Sequence, residues 1–183
     1  MTNEEVTQQQ IDELLDDAAY LQDEAEALKY IIDAVPFSQV PEEGMSILQK
    51  LMLIDYAQID YYRPIVEKSF SSTRTVDLRK FDHYKDTYEP SDEEDIHKVL
   101  NKLIKHRAGL LNVIKKIPLI DWEREIKVDS DKMISLYLFI NQLIKDEREQ
   151  LKEIADLVLI YQNNKQQNRL VNAKISERNE TGD

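Results

Sequence analysis

Apolar residues recur at steps of three and four along nearly the whole chain, the spacing of one face of an α-helix. Only three glycines and five prolines interrupt the 183 residues, and no segment alternates like a half-buried strand. Amphipathic helices of this kind must bury their apolar stripes against each other. The pattern therefore predicts an all-α fold, a four-helix bundle forming a single domain over residues 1–163. The remaining residues, 164–183, are predicted to be a polar, flexible tail.

A capping motif and helix-breaking residues predict the bounds of the first two helices. Thr7 and Gln10 have capping-box spacing, so the first helix should begin near Thr7, and Pro36 should stop it. Its stripe is Ile11, Leu14, Ala18, Leu21, Ala25, Leu28, Ile32 and Val35. After a loop over residues 36–44, a second helix should run from about Met45 to Phe70.

The second predicted helix is apolar on more than one face, which favours a central position or a subunit interface. Its main stripe is Met45, Leu48, Leu51, Met52, Ile59, Tyr62 and Val66. Pro64 lies inside this pattern and should kink the helix or end it early. A long loop, residues 71–90, follows; such loops border a site or an interface, or simply cross the surface.

Two further helices complete the predicted bundle. Ser91 and Glu94 have capping-box spacing at the start of the third, with Asp92, Glu93 and Asp95 suiting its positive end, and Pro118 follows its last stripe residue. The third stripe is Ile96, Val99, Leu100, Leu103, Leu110, Leu111, Ile114 and Ile117. After a connection containing Trp122, Asp129 or Ser130 is the predicted cap of the fourth helix. The fourth stripe is Met133, Leu136, Ile140, Leu143, Ile144, Leu151, Ile154, Leu157, Val158 and Tyr161.

Composition excludes several classes of function. The net charge of −12 disfavours nucleic-acid binding, which draws affinity from basic surfaces, even though Lys98 to Arg107 could form a local patch. Cysteine is absent, so thiolate chemistry and disulfides are excluded. No apolar run reaches the roughly 18 residues of a membrane span, and the polar start does not resemble a signal peptide. We therefore expect a cytoplasmic protein with no nucleic-acid or membrane partner.

Five polar residues interrupt the apolar stripes near the middle of their helices: Asp55, Arg107, Asp146, Glu147 and Gln150. Burying any of them alone would be costly, so they should pair or line a wet cavity. One interpretation is a ligand pocket in which Arg107 binds an anion or holds the carboxylates. The other is a structural ion-pair network, or side chains that reach past the stripe into water.

Catalytic and metal motifs are not found. A di-iron bundle needs two Glu-x-x-His pairs, and the chain has one, Glu94 with His97, at the start of a helix. There is no H-E-x-x-H motif, calcium loop, glycine-rich phosphate loop or serine elbow. The tyrosine cluster Tyr56, Tyr61 and Tyr62 is more typical of a core or interface than of a catalytic set. The sequence thus predicts no cofactor and no metal, and leaves any catalytic residue unknown.

Several short elements resemble the DinB-like (damage-inducible) superfamily. Pro41-Glu42-Glu43-Gly44-Met45-Ser46 is similar to the Pro-x-x-Gly-Trp-Ser that opens the second helix there, with Met45 in place of tryptophan. The pattern Leu-x-x-Leu-x-x-x-Arg follows at Leu100, Leu103 and Arg107. Further matching elements are Asp121-Trp122-Glu123-Arg124 and the Leu-x-x-Ile of Leu151 and Ile154. The resemblance covers about residues 15–160.

The resemblance implies a four-helix bundle that is often dimeric and, by its family, stress-related. Many relatives hold a divalent metal through one histidine of the second helix and an H-x-x-x-H pair of the fourth, and some use it in thiol transfer. The matching positions here are Leu53, Asp146 and Gln150. Leucine cannot ligate a metal, and Asp with Gln is a poor substitute for two imidazoles.

Two hypotheses follow. The favoured one is a non-catalytic, metal-free DinB-like bundle that acts through protein association, as a homodimer, or by binding a small-molecule ligand between its helices. The alternative is a metal-dependent, thiol-transferase-type enzyme with a rearranged carboxylate site at Asp55, Asp146 and Glu147, assisted by Arg107.

Overall fold

A computed structural model describes residues 5–91 and 94–180 of the chain, with side chains to residue 176. The helices are α1 (Gln8–Ile31), α2 (Ile47–Tyr56), α3 (Arg63–Ser71), α4 (Tyr84–Thr87), α5 (Ile96–Ile114) and α6 (Leu136–Glu180). The strands are β1 (Val76–Asp77), β2 (Glu125–Lys127) and β3 (Met133–Ser135). The structure confirms the all-α four-helix bundle, to which one small sheet is added.

Helix α1 matches its prediction closely. Thr7 is the N-cap and forms the full capping box with Gln10. All eight residues of the predicted stripe are buried, from Ile11 to Val35. A 3₁₀ turn over Ile32–Ala34 ends the helix just before Pro36.

The second bundle helix consists of α2, a π-helical segment over Ala57–Tyr62, and α3, in one continuous run. Pro64 neither ends this helix nor stands at an abrupt break, because the wider π turn lies directly before it. Proline cannot donate to the carbonyl one turn earlier, and an irregular turn accommodates that missing bond. The exposed residues of this helix are Asp60, Pro64, Lys68 and Ser71, so packing within one chain accounts for its several apolar faces. A homodimer remains a prediction, but this helix no longer supplies the reason for it.

The third helix, α5, begins later in the chain than predicted. Asp95 is its N-cap and accepts a hydrogen bond from the backbone N–H of Lys98, so the Ser91–Glu94 capping box is wrong. Asp92 and Glu93 lie outside the described residues. An aspartate cap satisfies the free N–H groups and also suits the positive end of the helix.

A three-stranded sheet occupies the connections on either side of α5, and the sequence did not predict it. β1 is parallel to β2, and β2 is antiparallel to β3. Its strands have two or three residues, too few for an alternating pattern to show. Asp129 and Ser130 therefore lie in the turn between β2 and β3 and do not cap the fourth helix. Ser135 does, by accepting a hydrogen bond from the backbone N–H of Leu138.

Arg124 and Trp122 fasten this connection to the bundle. Arg124 donates to the backbone carbonyls of Ser69 and Ser72 at the end of α3, and its own carbonyl accepts from Leu136. Trp122 is buried, and its ring N–H donates to the carbonyl of Ile117. The direction of α6 relative to α3 therefore depends on hydrogen bonds from side chains to the backbone as well as on the sheet.

Helix α6 does not end near Asn163 but continues to Glu180. Every described side chain from residue 162 to residue 176 is exposed, so this segment extends beyond the bundle. We call residues 162–176 the α6 extension; its flexibility is still a prediction. In the described part of the chain, every helix is too short or too polar to cross a bilayer.

Candidate functional site

A chain of hydrogen bonds crosses the middle of the bundle. His106 Nδ1 lies 2.9 Å from Asp55 Oδ1, and Gln58 donates to the same carboxylate over 2.8 Å. Arg107 Nε in turn donates to Gln58 Oε1 over 3.0 Å. Arg107 also donates to the backbone carbonyl of Ala18 and pairs with Glu147. We call His106, Asp55, Gln58, Arg107 and Glu147 the polar layer.

The polar layer lies where the apolar core divides. Above and below it, two clusters of buried side chains fill the bundle, one including Ala18 and Leu110 and the other including Leu21 and Leu103. The Arg107 side chain is 0% exposed and that of Glu147 is 7% exposed. Burial lowers the pKa of Arg107 to about 9, so at neutral pH it is still protonated and paired. Within the described residues, no buried side-chain polar atom lacks a partner.

Gln58 connects two of the predicted site residues, and the sequence did not single it out. It is 0% exposed, and its amide bridges Asp55 and Arg107 while also donating to the carbonyl of Leu103. The available signal was an amide three residues after Asp55, within the same apolar stripe. A search confined to charged residues passes over an uncharged side chain that can both donate and accept.

Asp146 belongs to a separate group. Its carboxylate accepts hydrogen bonds from the Tyr62 hydroxyl at 2.7 Å, the Tyr84 hydroxyl at 3.3 Å and the Gln142 amide at 2.8 Å. Burial, together with the charge of Asp146, raises the pKa of Tyr62 and of Tyr84 well above the usual value for tyrosine. Gln150 lies beside Asp146 at the edge of a small cavity. Glu147 of the polar layer also lines this cavity, so the predicted polar set forms two hydrogen-bonded groups that meet there.

A cleft of about 520 Å³ opens on the outer side of the polar layer, between the second bundle helix and α5. The segment around α4 covers one side of it, because Tyr88 donates to the carbonyl of Gln49 and Tyr56 donates to Thr87. The floor and walls are apolar and aromatic: Met52, Tyr56, Ile59, Tyr88 and Val99. The two tyrosine rings stand 5.6 Å apart.

Negative charge predominates in this cleft. Its lining includes the carboxylates Asp55, Asp60, Glu89 and Glu94, with Lys102 and His106 as the basic groups. Glu94 pairs with Lys102 at 3.6 Å, and Asp55 with His106. Among the described residues, Asp60 and Glu89 have no ion-pair partner, and both are exposed. Of the five predicted site residues, Asp55 alone lines this cleft, and it also belongs to the polar layer.

The positions that the family resemblance assigns to a metal do come together. Leu53, Asp146 and Gln150 line one cavity. Its volume is about 10 Å³, close to the least that holds one water molecule. Leu53 offers no donor atom, and three hydrogen bonds already occupy Asp146. In the described part of the chain, no three His, Cys, Asp or Glu side chains converge as metal ligands, so these residues do not fit a transition-metal centre.

Comparisons with known proteins support the fold. No protein-family model matches the chain, and no curated protein matches it in sequence. Among solved structures, a similar one is YfiT from Bacillus subtilis, described as a probable metal-dependent hydrolase with an unusual four-helix bundle topology. The two superpose with a TM-score of 0.68 over 86% of this chain and 90% of that one, at 13% identity. This likeness supports the four-helix-bundle fold; it carries nothing about activity.

Proposed function

We propose that this protein is a non-catalytic, metal-free bundle that binds a small organic cation in the cleft between the second bundle helix and α5. The cleft itself carries the proposal: about 520 Å³ with an apolar floor is the size and character of a small-molecule site. The polar groups around it are few and mostly anionic, which favours a ligand with a positive charge and an apolar body.

The charge balance selects the class of ligand. Asp60 and Glu89 are exposed at the cleft and have no ion-pair partner among the described residues, and Tyr56 and Tyr88 line the wall. Carboxylates attract an ammonium group directly, and an aromatic face attracts it through the ring quadrupole. An anion would meet repulsion from the same groups and from the net charge of −12.

Titration calorimetry on the full chain tests this with two probes that share one aromatic body, phenethylammonium and phenylacetate. We expect the cation to bind at least ten-fold more tightly than the anion. Asp60→Asn combined with Glu89→Gln should weaken the cation about ten-fold, since both rim charges are removed. The matched control, Asp23→Asn with Glu26→Gln, makes the same charge change on α1, away from the cleft, and should leave affinity within two-fold.

Equal affinity for both probes, or no heat from either at 10 mM, would overturn the proposal. The enzyme alternative has its own measurement, elemental analysis of tag-free protein purified without chelator. One equivalent of a transition metal per chain or per dimer would contradict the metal-free assignment, whatever the calorimetry shows. A metal-free, folded protein is the expected result.

A further inference from the structure

Within the part of the chain that the structure describes, nothing covers the α6 extension. Tyr161, whose hydroxyl donates to the carbonyl of Gln39, is the last of the described side chains of α6 that is partly buried. Beyond it, Leu170, Val171 and Ile175 are 58%, 55% and 51% exposed. The 15 residues of the extension span about 22 Å as a helix. A helix of that length without packing is marginally stable in water, so a contact that covers it would add most of its stability.

Charge separates the extension from the rest of the chain. Over residues 162–176 it carries Lys165, Arg169 and Lys174 and no carboxylate. Helix α1 has the opposite balance, with seven carboxylates and one lysine. Because α6 is one continuous helix that leaves the bundle past Tyr161, its extension cannot fold back onto the α1 of its own chain.

A groove of about 600 Å³ between α1 and α6 offers a complementary surface. We call it the α1/α6 groove; it is lined by Asp16, Asp17, Tyr20 and Glu24 from α1 and by Arg148, Leu151, Lys152 and Ala155 from α6. Carboxylates stand along the α1 side: Asp17 pairs with Arg148 across the groove, and Asp16 and Glu24 have no ion-pair partner among the described residues. Tyr20, Leu151 and Ala155 provide apolar surface. Tyr20 is 49% exposed. A helix with an apolar side and flanking cations fits such a groove.

We propose that the α6 extension docks in the α1/α6 groove of a second copy of this chain. The α6 residues that line the groove lie before Tyr161 in the helix, and the apolar residues of the extension lie after it. The two sets are about equally far from Tyr161 along the helix. Two α6 helices packed antiparallel about a two-fold axis near Tyr161 therefore bring each extension onto the groove of the other copy. Such a contact is self-complementary and closes as a dimer. Leu159 and Ile160, which are exposed, fall next to this axis.

Charge reversal and rescue, followed by sedimentation velocity of the full chain from 5 to 200 µM, test the proposal. We expect the natural chain to dimerise. The triple variant Lys165→Glu, Arg169→Glu, Lys174→Glu should weaken dimerisation at least ten-fold, and so should Asp16→Lys, Asp17→Lys, Glu24→Lys. Combining all six changes in one chain should restore the dimer. The control Lys115→Glu, Lys116→Glu, Lys132→Glu alters net charge equally, at exposed sites elsewhere, and should leave dimerisation within three-fold.

Because the chain has no cysteine, a crosslink reports the antiparallel arrangement directly. Lys152→Cys combined with Leu170→Cys places two thiols about 27 Å apart along one helix, too far for a bond within a chain. Mild oxidation should therefore give a covalent dimer. A natural chain that is monomeric at 200 µM would overturn the proposal. So would a dimer that responds to the control as strongly as to the extension variant, or a folded six-fold variant that stays monomeric.

Discussion

Glu147 and Arg107 form an ion pair in which both side chains are buried. Glu147→Gln would remove the carboxylate that pairs with Arg107 and leave Asp55, which forms no ion pair with it, as its nearby negative charge. We expect a loss of about 3 kcal/mol in the free energy of unfolding. Urea denaturation followed by circular dichroism measures it. Replacing both residues, as Arg107→Met with Glu147→Leu, should recover most of the loss because no buried charge remains.

The exposed neighbour Glu149 supplies the control for that measurement. Glu149→Gln removes the same charge from the solvent side of α6 and should change stability by less than about 0.5 kcal/mol. If Glu147→Gln proved neutral or stabilising, the polar layer would instead be a functional pocket, since such sites exchange stability for activity. That outcome would favour the enzyme alternative.

Because of Tyr62, the free energy of unfolding should depend on pH in the alkaline range. Burial and Asp146 raise its pKa in the folded chain, so the folded state holds a proton that the unfolded state loses above about pH 10. Stability from this group is therefore complete below pH 10 and falls above it, by up to about 1.4 kcal/mol per pH unit. Urea midpoints at pH 8, 10 and 11 should show the decline.

Tyr62→Phe removes one titrating hydroxyl and should make that decline shallower. A part should remain, because burial and Asp146 also raise the pKa of Tyr84. At pH 8 the same variant should be less stable by about 1 kcal/mol, because Asp146 loses its 2.7 Å hydrogen bond. Tyr30→Phe is the matched control, since Tyr30 is 89% exposed. An unchanged slope above pH 10 in Tyr62→Phe would contradict the assignment.

At the scale of elements, the N-cap of α6 in the structure differs from the one that the sequence predicted. Ser135 accepts from the Leu138 N–H, whereas the Asp129 carboxylate accepts from Asp131 within the turn. We expect Ser135→Ala to lose about 1 kcal/mol of unfolding free energy through the lost cap. Ser130→Ala, at the cap position predicted from sequence, should cost less than about 0.5 kcal/mol. Comparable losses in both variants, measured by urea denaturation, would argue against Ser135 as the cap.

The second bundle helix stays continuous although it contains Pro64. The sequence correctly marks Pro64 as incompatible with a regular helix interior. The structure keeps the helix continuous by widening it into a π turn over Ala57–Tyr62. The same turn contains Gln58, whose amide completes the polar layer. The irregularity and the buried network thus occupy one short segment.

For the whole molecule, charge is distributed unevenly over a bundle whose core is divided by the polar layer. Acidic groups predominate on α1 and in the cleft, and the α6 extension is basic. The two proposals use different parts of this distribution. One concerns a small cation at the side of α5, and the other concerns a second copy at the side of α1, so either can fail without the other.

The four-helix bundle could be predicted from the sequence because apolar spacing is a local property that survives any tertiary arrangement. The cap at Thr7 and the stripe of α1 were predictable for the same reason. The sheet was not, because pairs and triplets of residues carry no period. The caps of α5 and α6 were misplaced because several Asp and Ser residues lie near each helix start, and only backbone geometry decides among them.

The site was only partly predictable. Spacing alone identified Asp55, Arg107, Asp146, Glu147 and Gln150 as polar residues within apolar stripes, a property of each helix by itself. Which of them meet depends on the rotation of neighbouring helices, and that rotation is set by packing. The tertiary structure joined Asp55 to Arg107 through Gln58, placed Asp146 with Tyr62 and Tyr84, and opened the cleft beside His106. Helical periodicity therefore determined the fold class, while contacts between residues far apart in sequence decided the site.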